Sequence, residues 1–251
     1  VIGPIAGCRK DHEAVEPPTR PNVLLILVDT LRADKLGCYG SDLGATPCVD
    51  ALAAEGVRFE RSYSHAPWTT PAVASILTSL YPPEHQAGGR LGAFTRLPES
   101  VRTLAECFRD AGYATAAVIN VDFLTRTFGM TQGFEHTDFE TYPSNVTVRP
   151  AGRTTDAALT WLRQPRDQPF FLMVHYFDPH LVYAPPAEYR RRFAAPEDRE
   201  NTSWVFGTRE QVVGYRRGVV RFDEATIRRA EKLYDGEVAY TDHEVGRLVN
   251  A

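Results

Sequence analysis

The stretch Asn22-Val23-Leu24-Leu25-Ile26-Leu27-Val28-Asp29-Thr30 decides the fold. Six apolar residues run together with no polar alternation, so neither face of this segment can meet water. That pattern predicts a strand buried on both faces, the situation of a parallel sheet covered by helices. The polar residues Asp29 and Thr30 follow at its carboxyl end, where open α/β sheets place their ligands.

Working outward, Thr46-Pro47 supplies an N-cap and a proline for a helix that reaches Glu55 and stops at Gly56. Val57 to Tyr63 alternates and predicts a second strand; Pro71 to Leu80 predicts a helix. Val101 to Ala111 predicts another helix, closed by Gly112, and Tyr113 to Ile119 a third strand. Thr154 to Leu162 is helical in pattern, and Phe170 to Tyr176 is a fourth, apolar strand. Residues 178–225, rich in proline, arginine and aromatics, read as an irregular insertion. Ala225 to Asn250 reads as a long helix weakened by Gly236 and Gly246. Strands alternating with helices give an open, mostly parallel α/β sheet flanked by helices. The last helical pattern runs into Leu248-Val249-Asn250-Ala251 without a stop signal, which reads as the N-terminal part of a longer protein.

The 251 residues are 43% apolar and 24% charged, with a formal net charge of -4. This is globular composition, and it gives no electrostatic case for nucleic acid. Arg190-Arg191-Arg192 and Arg216-Arg217 read as solvated faces or loop caps. No P-loop, Gly-x-Gly-x-x-Gly turn or Gly-x-Ser-x-Gly elbow is present. Among the four cysteines no pair has CxxC spacing, and Cys38, Cys48 and Cys107 read as small buried side chains. Cys8 differs: Ile5-Ala6-Gly7-Cys8 followed by Arg9-Lys10-Asp11 resembles a bacterial lipobox, with Cys8 as the lipidated residue. Residues 1–21 then form a signal-peptide remnant and tether, residues 22–251 the folded domain, and the expected location is the bacterial cell envelope.

Three places carry candidate chemistry. Asp29 at the strand end is a hard oxygen donor for a divalent cation, or a turn cap. In His65-Ala66-Pro67-Trp68-Thr69-Thr70-Pro71, Thr70 reads as the N-cap of the next helix and Thr69 lies just outside it. A hydroxyl there faces the positive end of the helix, which suits an anionic ester and an alkoxide, but the same residues also make a plain cap. In His175-Tyr176-Phe177-Asp178-Pro179-His180, His180 follows the strand and could bind an oxyanion or protonate a leaving group. His175 reads as a satisfied core histidine; Asp178 could orient either ring or make an Asx turn.

Together these segments resemble the sulfatase family of the alkaline phosphatase superfamily. Pro21 to Gly40 looks like the family's opening, and Thr46 to Phe59 like its next helix and strand. Thr69-x-Pro71 with Ser75, Thr78, Leu80, Tyr81 and Pro82 is similar to its nucleophile motif. His175 to Pro186 resembles its substrate-histidine loop, and Tyr234 to Asp242 its long helix. The resemblance implies an alkaline phosphatase-like sheet and a metal-dependent hydrolase of sulfuric or phosphoric esters acting on a small-molecule, glycan or lipid substrate. It implies Asp29 as a metal ligand, Thr69 as nucleophile and metal contact, and His180 as catalytic and substrate-binding. The divalent cation (Ca, Mg, Mn or Zn) is left open.

The departures are as informative. Sulfatases convert Cys or Ser at the nucleophile position to formylglycine, which Thr69 cannot become, and Ala72 and Val73 replace the Ser and Arg of that motif. The second Asp of the family's pair is Thr30. Its Lys-x-His pair appears as Asn120 and Asp122, which makes Asn120 the substrate-binding candidate there. Its Asp-His-Gly-like segment is absent, so the resemblance leaves the metal shell incomplete and this stretch alone is expected to be inactive. Threonine at this position resembles phosphodiesterases and lipoteichoic acid synthases that pass through phospho-threonine. A non-catalytic binding protein on the same fold is the other alternative.

Overall fold

The computed structural model describes residues 20–89, 94–140 and 149–251. Cys8 and most of the 1–21 tether lie outside them. In chain order the elements are β1 (Val23–Val28), α1 (Pro47–Glu55), α2 (Thr69–Thr78), α3 (Pro82–His85), α4 (Leu104–Asp110), β2 (Ala114–Ile119), β3 (His136–Phe139), α5 (Ala151–Leu162), β4 (Phe170–Tyr176), α6 (Ala187–Phe193), α7 (Arg209–Arg216) and α8 (Glu224–Val249).

The four strands form one parallel sheet in the order β1-β4-β2-β3. Leu27 lies opposite His175 and Val28 opposite Tyr176, so the ends of β1 and β4 are level. Successive side chains leave opposite faces, and both faces are dry. Ala116, Val118, Leu172, Val174 and Tyr176 pack on α5 and α8 through Ala158, Leu159, Val245 and Leu248. Ala117, Ile119 and Met173 pack on α2 through Val73, Ala74 and Leu77. This burial is why β1, β2 and β4 read as nearly continuous apolar runs.

The helices begin where the chain offers caps. Thr103 accepts the Glu106 N–H while Glu106 returns a bond to the Thr103 N–H, so α4 starts at Leu104 rather than Val101. Asp223 accepts the Thr226 N–H and opens α8. At the other end of α8, Asn250 bonds the Gly246 carbonyl through backbone and side chain. Gly246 serves packing: a Cβ built there would lie 2.4 Å from Cys48 Sγ on α1. The helix accepts about 1 kcal/mol of glycine penalty in exchange for that close approach.

Four expectations are corrected. Val57 to Tyr63 is not a strand; Val57, Phe59 and Tyr63 are 83%, 69% and 79% exposed. Alternation alone does not make a strand where no described strand lies alongside to satisfy its backbone. β3 went unread because His136-Thr137-Asp138-Phe139 is short and mostly polar, as a sheet edge permits. The 178–225 insertion is partly regular, with α6, a Tyr183–Phe206 bridge and α7, whose capping box pairs Thr208 with Gln211. Cys107 is exposed and Cys38 and Cys48 half-buried, all three as free thiols, rather than buried. No described helix is long and apolar enough to cross a membrane.

Candidate active site

The site forms where β1 and β4 end. The Asp29 N–H donates to the Tyr176 carbonyl at 3.0 Å, extending the ladder by one residue and fixing the carboxylate at the sheet's edge. The chain then turns sharply: Thr30 has φ 55°, a conformation costly for a β-branched residue. Tyr234 of α8 holds the turn, its hydroxyl donating to the Thr30 carbonyl at 2.9 Å and accepting the Arg32 N–H at 2.9 Å.

α2 starts at Thr69, one residue before the expected cap, with Trp68 as the preceding extended residue and no side chain capping the helix. Thr70 is therefore not the N-cap; it is fully buried and its hydroxyl has no partner. Pro71 still sits in the first turn, where its missing N–H costs nothing. The shift leaves the Thr69 hydroxyl free, and it donates to Asp29 Oδ2 at 3.0 Å. Residues 29 and 69 thus meet directly, at the positive end of an uncapped ten-residue helix.

His175 is buried, as a core histidine would be, but it is not satisfied. Its Nδ1 has no partner and its Nε2 lies 3.5 Å from Asp29 Oδ2, too long for a good hydrogen bond but close enough for charge to matter. The apolar neighbours on β4 masked this role. His180 packs on Phe177 with ring centroids 4.3 Å apart, and its Nδ1 lies 3.1 Å from the Leu181 carbonyl. A carbonyl only accepts, so Nδ1 carries the proton and Nε2 is left for another partner.

These groups set the charge of Asp29. Burial pushes its carboxyl up, but the nearby His175 ring, the charge of His180 and the Thr69 hydroxyl together hold it below its ordinary value. Such a carboxylate is a weak base. It orients the Thr69 hydroxyl and offers a lasting negative oxygen, but it gains little by taking the proton. Asp29, Thr69, His175 and His180 line one cavity of about 530 Å³, together with Trp68, Ile76 and Arg216.

The other sequence candidates lie elsewhere. Asn120 is buried and spends its amide on Thr154 Oγ1 at 2.8 Å, the His175 carbonyl at 2.7 Å and Arg149 Nε at 2.9 Å. It stays outside the cavity lining and braces the backbone behind His175. Asp178 orients neither histidine ring. It turns toward Glu237 of α8 and the start of α5, where burial pushes its carboxyl up to about 6. Glu237, raised by burial and by Asp178, accepts the Ala184 N–H at 2.7 Å. This buried acid pair ties the His180 loop to α8.

The donor chemistry suits a divalent cation in kind: two oxygens, one ionised, 3.0 Å apart. It falls short in number, since no group of three or more His, Cys, Asp or Glu among the described residues could hold a metal ion.

The relatives agree with this architecture. A Delta 4,5-hexuronate-2-O-sulfatase of Bacteroides thetaiotaomicron is 31% identical over 182 residues, 67% of this chain and 36% of the relative. A mouse steryl-sulfatase is 41% identical over 109 residues, 40% of this chain and 18% of the relative. Among solved structures, the phosphonate monoester hydrolase of Agrobacterium radiobacter superposes with a TM-score of 0.70 at 22% identity, covering 92% of this chain and 58% of that one. The chain thus spans well under two thirds of these relatives' lengths. The family model described as Sulfatase matches residues 21–251, and the chain belongs to the sulfatase family.

Proposed function

We propose that the full-length protein is a metal-dependent hydrolase of sulfuric or phosphoric esters in which Thr69 is the nucleophile. The observation that supports this most is the 3.0 Å contact between the Thr69 hydroxyl and the Asp29 carboxylate inside the cavity. Asp29 and Thr69 would be two oxygen ligands of a divalent cation, which when bound lowers the pKa of the hydroxyl and polarises the ester. The weak basicity of Asp29 supports that need: something other than this carboxylate must draw off the Thr69 proton.

The residues of this chain do the rest. Asp29 aims Thr69 Oγ1 at the sulfur or phosphorus, and the N–H groups at the start of α2 face the charge that builds on the transferred group. Thr69 would give its proton to solvent once a bound cation has lowered its pKa; the bond from Oγ1 forms as the bond to the leaving oxygen breaks, and His180 Nε2, when protonated, gives that oxygen its proton. Water then cleaves the Thr69 ester and restores the hydroxyl. The same first step serves a phosphodiesterase or phosphotransferase that passes through phospho-Thr69, and threonine at this position favours that variant over formylglycine chemistry.

The test is turnover of aryl sulfates and aryl phosphate mono- and diesters by the full-length protein with and without added divalent cation. Thr69→Ala should abolish turnover with the melting temperature unchanged, and intact-mass measurement during turnover should show an adduct on the wild type alone. Turnover retained in Thr69→Ala would place the nucleophile elsewhere; anion binding without turnover would favour the non-catalytic binding protein. The lipid anchor at Cys8 and envelope location rest on the lipobox, and labelling with a clickable fatty acid in wild type against Cys8→Ser tests them.

A further inference from the structure

Only the floor of the cavity is needed for the reaction proposed above. Asp29 and His175 lie there, with side chains 12% and 2% exposed. Yet the cavity holds about 530 Å³, the size of pockets that take a ring-sized organic ligand rather than a bare tetrahedral ester. Its lining includes the apolar Pro67, Trp68 and Ile76. It also includes Arg216, the single arginine or lysine among the described residues lining the cavity.

Arg216 stands in the last turn of α7, within the 178–225 insertion, and is solvent-exposed. Its side chain has no hydrogen bond or ion pair among the described residues. Several other arginines are spent: Arg190 on the carbonyls of Asp198, Asn201 and Trp204, Arg229 on Asp198, and Arg32 on Asp34. An unspent guanidinium presents a planar fork of donors that matches a carboxylate, sulfate or phosphate. Its place at the mouth, on an element separate from the floor, sets it apart from the reacting ester.

Resting on the ester-hydrolase reading, we propose that Arg216 is a specificity-determining residue that binds a second anionic group on the leaving-group side of the substrate. The substrate class is then a ring-sized ester with its reacting sulfate or phosphate on the floor, its body against Trp68 and a further anion on Arg216.

The experiment compares phenyl sulfate with 4-carboxyphenyl sulfate, and the two corresponding phosphates, on the full-length protein. Wild type should favour the carboxylate-bearing ester by about tenfold in kcat/KM, the worth of one charge-assisted hydrogen bond at a partly wet site. Arg216→Ala and Arg216→Gln should erase that preference by raising KM for the carboxylate ester alone, and Arg216→Lys should keep part of it. Equal losses on both esters would put Arg216 on the reacting group, and no preference in wild type would leave it without a role; either overturns the proposal. Calorimetric binding of the same pairs to Thr69→Ala separates the two claims. If wild type cleaves neither ester, the catalytic reading falls, while the tenfold binding preference and its loss on adding Arg216→Ala still decide the question of the second anion.

Discussion

The floor and the mouth of the cavity are built differently. The floor comes from strand ends and a helix start in the body of the sheet: Asp29 is fixed by the ladder to Tyr176, the Thr30 turn is pinned by Tyr234, and His175 is buried on β4. The insertion adds His180 and, from the last turn of the short helix α7, Arg216, neither of which stands on a strand. Rigid elements can hold reacting atoms to a fraction of an ångström; an inserted segment can change without disturbing them. On the roles proposed above, Asp29 and Thr69 react on the sheet side while Arg216 selects from the insertion, with His180 of the insertion reaching the same cavity, so each side can be tested on its own.

The largest effect belongs to the floor. Asp29→Asn keeps the shape but removes the negative oxygen that orients Thr69, and turnover should fall by roughly a thousandfold or more, in the range of losing a positioned catalytic carboxylate. Binding of a neutral aromatic ring at the walls should not move. Turnover within tenfold of wild type would show that the floor does not depend on this carboxylate.

The next effect belongs to the mouth. Arg190 is 2% exposed and donates to the carbonyls of Asp198, Asn201 and Trp204, so it ties α6 to the segment 198–204 of the insertion. Arg190→Met fills the space but leaves those carbonyls without donors, at a cost of about 3 kcal/mol or more. Hydrogen exchange should rise across α6 and residues 198–204 while β1 and β4 stay protected. Uniform loss of protection would mean that insertion and sheet unfold as one unit.

A smaller effect tests how tightly the floor is held. Tyr234→Phe removes a hydroxyl that serves both Thr30 and Arg32, at about 1–2 kcal/mol. The strained turn should relax and displace Asp29, lowering kcat severalfold with KM for the carboxylate ester unchanged. An effect on KM alone would place Tyr234 with the mouth.

The same division explains what could be read from sequence. β1, β2, β4 and α8 were legible because burial on both faces writes itself as uninterrupted apolar runs or long helical spacing. Asp29, Thr69 and His180 were legible because they stand at breaks between such runs, and the structure brings all three to one cavity. His175 was misread because a histidine inside an apolar strand looks satisfied until its unpartnered Nδ1 and its distance to Asp29 are seen. Val57 to Tyr63 was misread because alternation records a strand's faces and says nothing about its neighbours. Arg216 was read as a solvated face, for its spacing carries no trace of the fold that brings α7 over the cavity. Asn120 and Asp178 were located correctly along the chain, but their side chains turned to structural partners that only tertiary contact supplies.

The acid pair beneath the His180 loop joins the two regions, and its effect shows only as a change of slope with pH. Burial raises the Asp178 carboxyl from an ordinary 3.8 to about 6; the charge of Glu244 adds to the rise, and hydrogen bonds from backbone and Glu237 offset part of it. Between those two values the unfolded chain releases the proton while the folded chain keeps it. The folded state then binds more protons, so stability is full in acid and declines as pH rises through that window. Asp178→Asn cannot titrate, and its stability against pH from about 4 to 6 should be flatter than wild type by up to about 1.4 kcal/mol per pH unit. Glu237 complicates the size of the change but not its sign, because the neighbouring charge that raises it is Asp178 itself. Urea melts at pH 4, 5, 6 and 7 measure both slopes. A wild-type protein that gains stability across this window relative to Asp178→Asn would show an ionised, well-partnered carboxylate, and the loop would be tied to α8 by something other than a shared proton.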